Sequence, residues 1–232
     1  MSSEQSFGES PRPRVVVVDD SSLTREAFGV VYPALEVVGS YGSVNEVLAV
    51  KPGADLIVLD LMLSPTIEEC TLQGPKAITE LTNRGYRVCV YTDERRLLVL
   101  AQCFSAGARG LVRKVDKLAD NQAAFLKVIA GQIVVPHSMV GLAELMNRRR
   151  SLPELTSRQT EVLAGRARGE AWGVLARRLG ISAKTAQDHF DAVMSKMVLF
   201  LQETGLTPGS SAADVERALG LSPGDLNDPR SF

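Results

Sequence analysis

The chain has 232 residues, of which 45% are hydrophobic and 23% charged, a balance typical of globular domains. Its net charge of −1 excludes a protein that coats nucleic acid along its whole length, so any basic surface must be local. The three cysteines lack metal-binding spacing, which argues against a structural zinc site and favours reduced thiols. No apolar run approaches the roughly 20 residues that span a bilayer. We therefore expect a cytoplasmic protein of one or two domains with no membrane contact.

The N-terminal half alternates short apolar runs with helical periods. The predicted strands are "RVVVVD", "LEVVGSYG", "ADLIVLD", "YRVCVYT" and "GLVRK". A helical segment follows each of them, and five such alternations predict a parallel sheet covered on both faces. Covered strands are apolar on both sides, which explains their unbroken hydrophobic runs. The sequence thus predicts an α/β unit, a five-stranded doubly wound parallel sheet, over residues 13–136.

The C-terminal half is predicted to be all-α. The sequence predicts a helical linker over residues 137–152, which carries a basic cluster, Arg148–Arg150, near its end. Beyond it the strand pattern disappears, and residues 153–200 contain three helical segments. The second and third are joined by "LGIS", which is typical of a helix-turn-helix. Residues 201–232 predict a tail with one short helix.

Polar side chains follow four of the five predicted strands. Asp19 and Asp20 lie at the end of the first strand, and Asp60, Thr92 and Lys114 lie at the ends of the third, fourth and fifth. Ligands of an open parallel sheet bind beyond the carboxyl ends of its strands. A polar turn would explain one acid there, but not an ordered set after four strands. Adjacent carboxylates raise each other's pKa unless a cation compensates, so the pattern predicts a site for a hard divalent cation.

The segments "VVVVDDSSLTRE", "ADLIVLDL", "VCVYT" and "GARGLVRK" resemble the receiver domain of bacterial two-component response regulators. The resemblance implies that Asp60 is the phospho-acceptor and attacks as a carboxylate nucleophile. It implies a Mg²⁺ site whose ligands are Asp19, Asp20, Asp60 and the main-chain carbonyl of Met62. It also implies that Lys114 neutralises the charge on the transferring phosphoryl group and that Thr92 hydrogen-bonds it.

The segments "LTSRQTEVL", "ARRLGIS" and "KTAQDHFDAVMSKM" resemble the LuxR-type helix-turn-helix of the NarL/FixJ class. Together the two resemblances imply a response regulator in which a sensor histidine kinase phosphorylates Asp60 and so controls DNA binding and transcription. We expect a homodimer on double-stranded DNA. The residues predicted to contact DNA are Lys184, Thr185, Gln187 and Lys196. The framework positions predicted to be core are Leu155, Val162, Leu163, Leu175, Ala176, Leu179, Ile181, Val193 and Met197.

The receiver-like half departs from the family pattern at three places. The loop after Asp60 is longer than usual, so Glu68 and Glu69 could screen the site, although solvated surface charge is the alternative interpretation. Asp93 stands where the family usually has a small residue and should alter the lifetime of a phosphoryl group. Leu111 stands where many receivers carry an aromatic switch residue, which weakens the expectation of a threonine–aromatic coupling.

The predicted recognition helix carries Asp188 and Asp191, where relatives often present basic or small residues. Acids repel the phosphate backbone, so two alternatives stay open. One is a receiver that acts through protein contacts with weak or no DNA binding, and the other is a regulator that needs no phosphorylation. A haloacid-dehalogenase-type phosphatase is disfavoured, because the acid that this family has two residues after its nucleophile is missing. No Walker-type loop occurs either, so we expect a regulator and not an enzyme.

Overall fold

Five parallel strands form an open sheet in the computed structural model, which describes residues 11–63 and 72–226. The strands are β1 (Arg14–Val18), β2 (Glu36–Tyr41), β3 (Leu56–Leu59), β4 (Val88–Thr92) and β5 (Gly110–Arg113). Their order is β2-β1-β3-β4-β5, and each neighbouring pair is parallel. The predicted sheet is therefore confirmed. Its order places β1 beside β3, so the ends of these two strands meet.

Helices cover both faces of the sheet, as the continuously apolar strands predict. They are α1 (Ser22–Val31), α2 (Val44–Val50), α3 (Gly74–Asn83), α4 (Leu97–Ser105) and α5 (Leu118–Ile129). Side chains alternate along a strand, so Val15 and Val17 pack in one cluster with α1 and α5. Val16 and Val18 point to the other face and pack in a second cluster with α2, α3 and α4.

The C-terminal half is helical throughout its described part. A 3₁₀ turn at His137–Met139 leads into α6 (Val140–Arg148), α7 (Ser157–Ala167), α8 (Trp172–Leu179), α9 (Ala183–Glu203) and α10 (Ala212–Ala218). Thr156 and Gln159 form a capping box that starts α7. Gly180, with a φ of +66°, ends α8 in the left-handed conformation that a residue with a side chain rarely adopts. The helix pair α8–α9 is the predicted helix-turn-helix.

The predicted framework of the helix-turn-helix is largely buried. Val162, Leu163, Leu175, Ala176, Val193 and Met197 are buried, while Leu155, Leu179 and Ile181 are half-buried. The predicted domain boundary between residues 200 and 201 lies inside α9, because this helix continues to Glu203. Val215 and Leu219 of α10 are fully buried, so this part of the predicted tail belongs to the packed structure.

One apolar cluster runs through both halves of the protein. It joins Leu100 and Phe104 of α4 to Met197 and Leu201 of α9. Side-chain hydrogen bonds follow the same junction, since Gln102 Nε2 donates to the carbonyl of Ser210 at 2.8 Å and Ser105 Oγ donates to that of Leu206 at 3.1 Å. The C-terminal half of α9 is thereby held against the receiver-like unit.

Within residues 11–63 and 72–226, no helix is long and apolar enough to cross a membrane.

Candidate functional site

Three carboxylates meet at the carboxyl edge of the sheet. Val18 pairs with Leu59 across β1 and β3, so the residues that follow both strands are neighbours. The carboxylate oxygens of Asp19, Asp20 and Asp60 lie within 4.8 Å of one another. Asp19 and Asp60 are 1% and 6% exposed, whereas Asp20 is open to water. Three oxygen donors at this spacing, one of them reachable from solvent, fit a hard divalent cation.

Lys114 is the cation that the chain itself brings to these acids. Its Nζ lies 2.7 Å from Asp19 Oδ2 and 2.8 Å from Asp60 Oδ2. Burial raises the pKa of Asp60, and the hydrogen bond and charge of Lys114 offset only part of that rise. Burial alone would lower the pKa of Lys114, but its hydrogen bonds to Asp19 and Asp60 raise it above the ordinary value. One ammonium against three carboxylates leaves a negative site that a bound dication would balance.

The remaining predicted residues face the same point. Thr92 ends β4 and is 1% exposed, and its hydroxyl accepts the main-chain N–H of Glu94 at 3.3 Å. The main-chain N–H of Met62 donates to Asp60 Oδ1 at 3.2 Å, which fixes this carboxylate. A cleft of about 380 Å³ is lined by Asp60, Met62, Thr92, Asp93 and Lys114, among others. The topology thus brings the carboxylate of Asp60, the hydroxyl of Thr92 and the ammonium of Lys114 to one cleft that is open to solvent.

Glu94 and its partner Arg96 were not predicted from the sequence, although an acid just before a helix is a recognisable capping signal. The Glu94 carboxylate accepts the main-chain N–H groups of Arg95 and Arg96, each at 2.8 Å. It also forms an ion pair with the Arg96 guanidinium at 2.5 Å. The hydrogen bond from Arg96 lowers the pKa of Glu94 to about 2, against the opposing effect of burial. Glu94 therefore stays ionised and holds the start of α4.

The structure shows the surroundings of Asp93 and Leu111, two residues at which the sequence departs from the family pattern. Asp93 Oδ1 accepts the main-chain N–H of Val115 at 3.2 Å, so its carboxylate connects the loops that follow β4 and β5. Leu111 is 1% exposed inside the core. The hypothesis that Glu68 and Glu69 screen the site concerns residues outside the described part of the chain.

The residues predicted to contact DNA lie along α9. Lys184 and Thr185 are exposed on its first turn, and Gln187 is partly exposed. Lys184 forms an ion pair with Asp188, one turn further on. Lys196 is placed differently, because its Nζ donates to the carbonyl of Glu154 at 2.7 Å and to Gln159 Oε1 at 3.1 Å. An interaction of Lys196 with DNA would compete with these internal bonds.

Comparison with known proteins finds a family match for the helix-turn-helix and relatives that are similar over most of the chain. Residues 153–199 match the family described as "Bacterial regulatory proteins, luxR family". A putative transcriptional regulator of Pseudomonas aeruginosa is 28% identical over 193 residues, covering 79% of this chain and 90% of the relative. The transcriptional regulatory proteins LiaR of Bacillus subtilis and UhpA of Escherichia coli are each 28% identical with the same coverage.

Solved structures share the fold. The RcsB response regulator of Salmonella typhimurium matches with a TM-score of 0.51 at 19% identity, covering 83% of this chain and 97% of that one. A complex of the two-component response regulator RcsB with DNA matches with a TM-score of 0.50 at 18% identity, covering 90% and 98%. The chain is similar to response regulators of the NarL/FixJ type in its luxR-family match, its curated relatives and its fold.

Helix α9, the second helix of the helix-turn-helix, faces the half of the chain that contains the sheet. A cleft of about 720 Å³ separates α9 from the end of α5 and the segment after it. The helix contributes Lys184, Gln187, Asp188 and Asp191, among others, and the receiver contributes Arg109, Lys127 and residues 131–135. Partial burial raises the pKa of Asp191, while the charges of Lys127 and Lys184 oppose that rise. The acids that oppose DNA binding thus share a cleft with receiver cations.

Trp172 packs against the same helix, α9. It is the only tryptophan of the chain, and its ring packs edge-to-face against Phe190 of α9, with ring centroids 5.4 Å apart. The Arg166 guanidinium lies 4.3 Å from the centre of the indole ring, within the reach of a cation–π interaction. A change in the position of α9 is therefore expected to alter tryptophan fluorescence.

Proposed function

We propose that the protein is a transcription regulator whose affinity for DNA changes when Asp60 is phosphorylated. The observation that carries the proposal is the convergence of Asp19, Asp20, Asp60, Thr92 and Lys114 at one edge of the sheet. A capture site for a phosphoryl group needs an ionised oxygen nucleophile, a means of charge neutralisation and a hydroxyl donor, and these residues supply all three.

The donor in this proposal is the phosphorylated imidazole of a partner histidine kinase. An Asp60 carboxylate oxygen attacks phosphorus, the P–N bond breaks as the P–O bond forms, and the released imidazole nitrogen takes up a proton. The product is an acyl phosphate on Asp60. Lys114, 2.8 Å from Asp60, would stabilise the equatorial phosphoryl oxygens, and the Thr92 hydroxyl would donate a hydrogen bond to one of them.

Asp19, Asp20, Asp60 and the main-chain carbonyl of Met62 would hold Mg²⁺, which supplies neutralisation of the phosphoryl charge when bound. The fit rests on the chemistry of the donors, since all are hard oxygen ligands and the three carboxylates are mutually within 4.8 Å. Asp20 is exposed, which leaves room for water molecules that Mg²⁺ keeps in its coordination shell.

The DNA-binding part of the proposal assigns the start of α9 to the major groove. Lys184 and Thr185 would contact phosphates, Gln187 would contact a base edge, and Lys196 would add a contact further along. The match to the luxR family over residues 153–199 and the RcsB–DNA complex among the structural neighbours support this assignment. A structure of two RcsB dimers on DNA supports binding as a homodimer, which would place half-sites about one helical turn apart.

The test uses the full chain, Mg²⁺ and acetyl phosphate. We expect intact-mass analysis to show one added phosphoryl group, and the Asp60→Asn variant to gain none. Asp116→Ala is the matched control, because this exposed acid follows β5 at the same edge but lies outside the carboxylate triad. Selection from a randomised duplex pool should then recover a preferred sequence with the phosphorylated wild type. Phosphorylation of Asp60→Asn, or no bound duplex at low salt, would refute the corresponding half of the proposal.

A second candidate function is a receiver that signals through protein contacts with little DNA binding. It is favoured by Asp188 and Asp191, which line the cleft on the recognition helix. The same duplex selection separates the two functions, because a protein-contact regulator would recover no sequence in either phosphorylation state.

A further inference from the structure

The recognition helix is anchored on the receiver by its own C-terminal half. Met197, Val198 and Leu201 of α9 are fully buried in the apolar cluster that includes α4. The helix is continuous from Ala183 to Glu203, which corresponds to a rod of about 30 Å at 1.5 Å per residue. A displacement of α4 therefore moves the anchored end, and because the rod is stiff the base-reading end moves with it.

The segment after α9 strengthens this anchor. Gln102 and Ser105, both on α4, donate to the carbonyl groups of Ser210 and Leu206 at 2.8 Å and 3.1 Å. These bonds join residues more than 100 positions apart, and they connect main chain on one side to helix side chains on the other. Because Leu206 and Ser210 follow α9, these bonds connect the segment after α9 to α4 and add to the apolar contact between the two helices.

The other end of α4 is held beside the phosphorylation site. The Thr92 hydroxyl accepts the N–H of Glu94, and Glu94 in turn holds the N–H groups of Arg95 and Arg96 and the Arg96 guanidinium. These four residues thus form a hydrogen-bonded connection between β4 and α4. When the Thr92 hydroxyl turns toward a phosphoryl oxygen, the hydrogen bond that it accepts from the N–H of Glu94 lengthens, or the loop between β4 and α4 moves with the hydroxyl.

Leu111, a buried aliphatic residue, occupies the position where many receivers carry an aromatic switch residue. Leu111 is 1% exposed and belongs to the same cluster as α4. Leu111 has no aromatic ring that could rotate, so the inference rests on the hydrogen bond between Thr92 and Glu94, which connects β4 to the segment that starts α4.

We propose that Glu94 is a positioning residue that couples Thr92 to α4 and, through α4, to the recognition helix α9. The inference rests on the proposed function, since it concerns how phosphorylation of Asp60 reaches DNA. Glu94 acts by holding the start of α4 in register with the Thr92 hydroxyl, so that a movement of a few tenths of an ångström at the strand end is passed to the helix.

The test compares the full chain with its Glu94→Ala, Glu94→Gln and Glu94→Asp variants in the presence and absence of acetyl phosphate and Mg²⁺. Two responses are measured: the change in Trp172 fluorescence and the ratio of DNA affinities in the two states. Each response is normalised to the fraction of molecules that carry a phosphoryl group after acetyl phosphate treatment, measured by intact mass. Allosteric coupling typically gives a ratio of about 5- to 150-fold, which we expect for the wild type.

Glu94→Ala and Glu94→Gln should bring both normalised responses close to no change, and Glu94→Asp should restore part of them by retaining the charge. Glu80→Gln is the matched control, since it breaks a Glu–Arg ion pair on α3 that involves no residue of α4. It should respond like the wild type. Melting curves in the absence of ligand identify a variant that fails to fold, and Glu94→Gln, the milder change, then decides.

Full normalised responses in a folded Glu94→Ala or Glu94→Gln protein would overturn the coupling role. Wild type that gains no phosphoryl group would overturn the proposed function and this inference together. Wild type that is phosphorylated but binds no DNA would overturn only the DNA-binding function, because the Trp172 signal tests the coupling without DNA.

Discussion

The carboxylate of Asp93 accepts the main-chain N–H of Val115 at 3.2 Å, and Val115 directly follows Lys114. Asp93, which directly follows Thr92, thus connects the loop after β4 to the loop after β5, which carries Lys114. It contributes both a negative charge near the nucleophile and a hydrogen bond that positions the lysine loop. These two contributions can be separated by substitution.

We expect Asp93→Asn to accelerate phosphorylation by acetyl phosphate, because it removes a like charge while retaining an oxygen that can accept the Val115 N–H. Asp93→Ala should be slower than Asp93→Asn, because it also frees the loop that carries Lys114. Effects of about two- to tenfold, up to about 1.4 kcal/mol in activation free energy, are expected. Initial rates from intact-mass time courses measure them. Equal rates for all three proteins would show that Asp93 influences neither charge nor position.

Asp20→Ala should weaken Mg²⁺ binding by roughly tenfold or more, since it removes one of three carboxylates from the cation site. Asp20 is exposed, so the melting temperature without metal should change little. Isothermal titration with Mg²⁺ measures the affinity. Asp116→Ala provides the control and should bind like the wild type. An Asp20→Ala protein with unchanged affinity would contradict the assignment of this carboxylate as a ligand.

The stability contributed by Glu94 should depend on pH with a defined sign. Its pKa in the folded protein is about 2, below that of an ordinary carboxyl group, so its contribution is present above the unfolded pKa and is lost as pH falls toward 2. Because Arg96 is 72% exposed, we expect at most about 1 kcal/mol. The difference in free energy of unfolding between wild type and Glu94→Gln, from urea titrations, should be larger at pH 7 than at pH 3. A difference that grows on acidification would have the wrong sign for this ion pair.

Lys184→Ala should weaken binding to every DNA sequence and reduce the slope of log affinity against log salt by about 1, as expected for a lost phosphate contact. Gln187→Ala should instead relax the preference at one base pair by about 1–3 kcal/mol if its contact is bidentate. Competition binding over a set of single-base variants of the selected site distinguishes the two. The assignments would be exchanged or abandoned if Lys184→Ala changed sequence preference while Gln187→Ala weakened all sequences equally.

Asp191→Ala should tighten non-specific DNA binding severalfold at low salt, because it removes a charge that repels phosphates. It also removes an acid that shares the interdomain cleft with Lys127. Lys127→Ala separates the two effects, since it weakens the cleft without touching the DNA-facing helix. If only repulsion of DNA matters, Lys127→Ala binds like the wild type; if closure of the cleft matters, both variants bind more tightly. Unchanged binding for Asp191→Ala would remove the acid from either role.

The candidate phosphorylation site was predictable from the sequence because parallel topology brings the carboxyl ends of neighbouring strands together. Apolar runs that end on Asp19 and Asp60 predict both the strands and the meeting of their acids. The role of Glu94 had a local signal, an acid just before a helix, but nothing in the sequence indicated that Thr92 would hold its N–H.

The junction of the two halves could not be predicted in this way. Gln102 and Ser210 are separated by 108 positions, and helical periodicity tells which face is apolar but not which other unit will cover it. Lys196 illustrates the same limit. Its charge and position on the recognition helix predict a DNA contact, whereas the fold gives it two oxygen acceptors near the start of α7.

The apolar cluster that extends from α4 to α9 also determines how this protein can be divided and recombined. Units that share buried side chains unfold together, so denaturation should give one cooperative transition for the whole chain instead of one for each half. A fragment cut at the linker would expose Met197, Val198 and Leu201 to water and tend to aggregate. Chimaeras with other regulators would need to exchange α4 together with the C-terminal half, because a foreign receiver lacks the matching surface. The two halves are distinct along the sequence, but in the folded molecule they share one apolar cluster and are therefore not independent units.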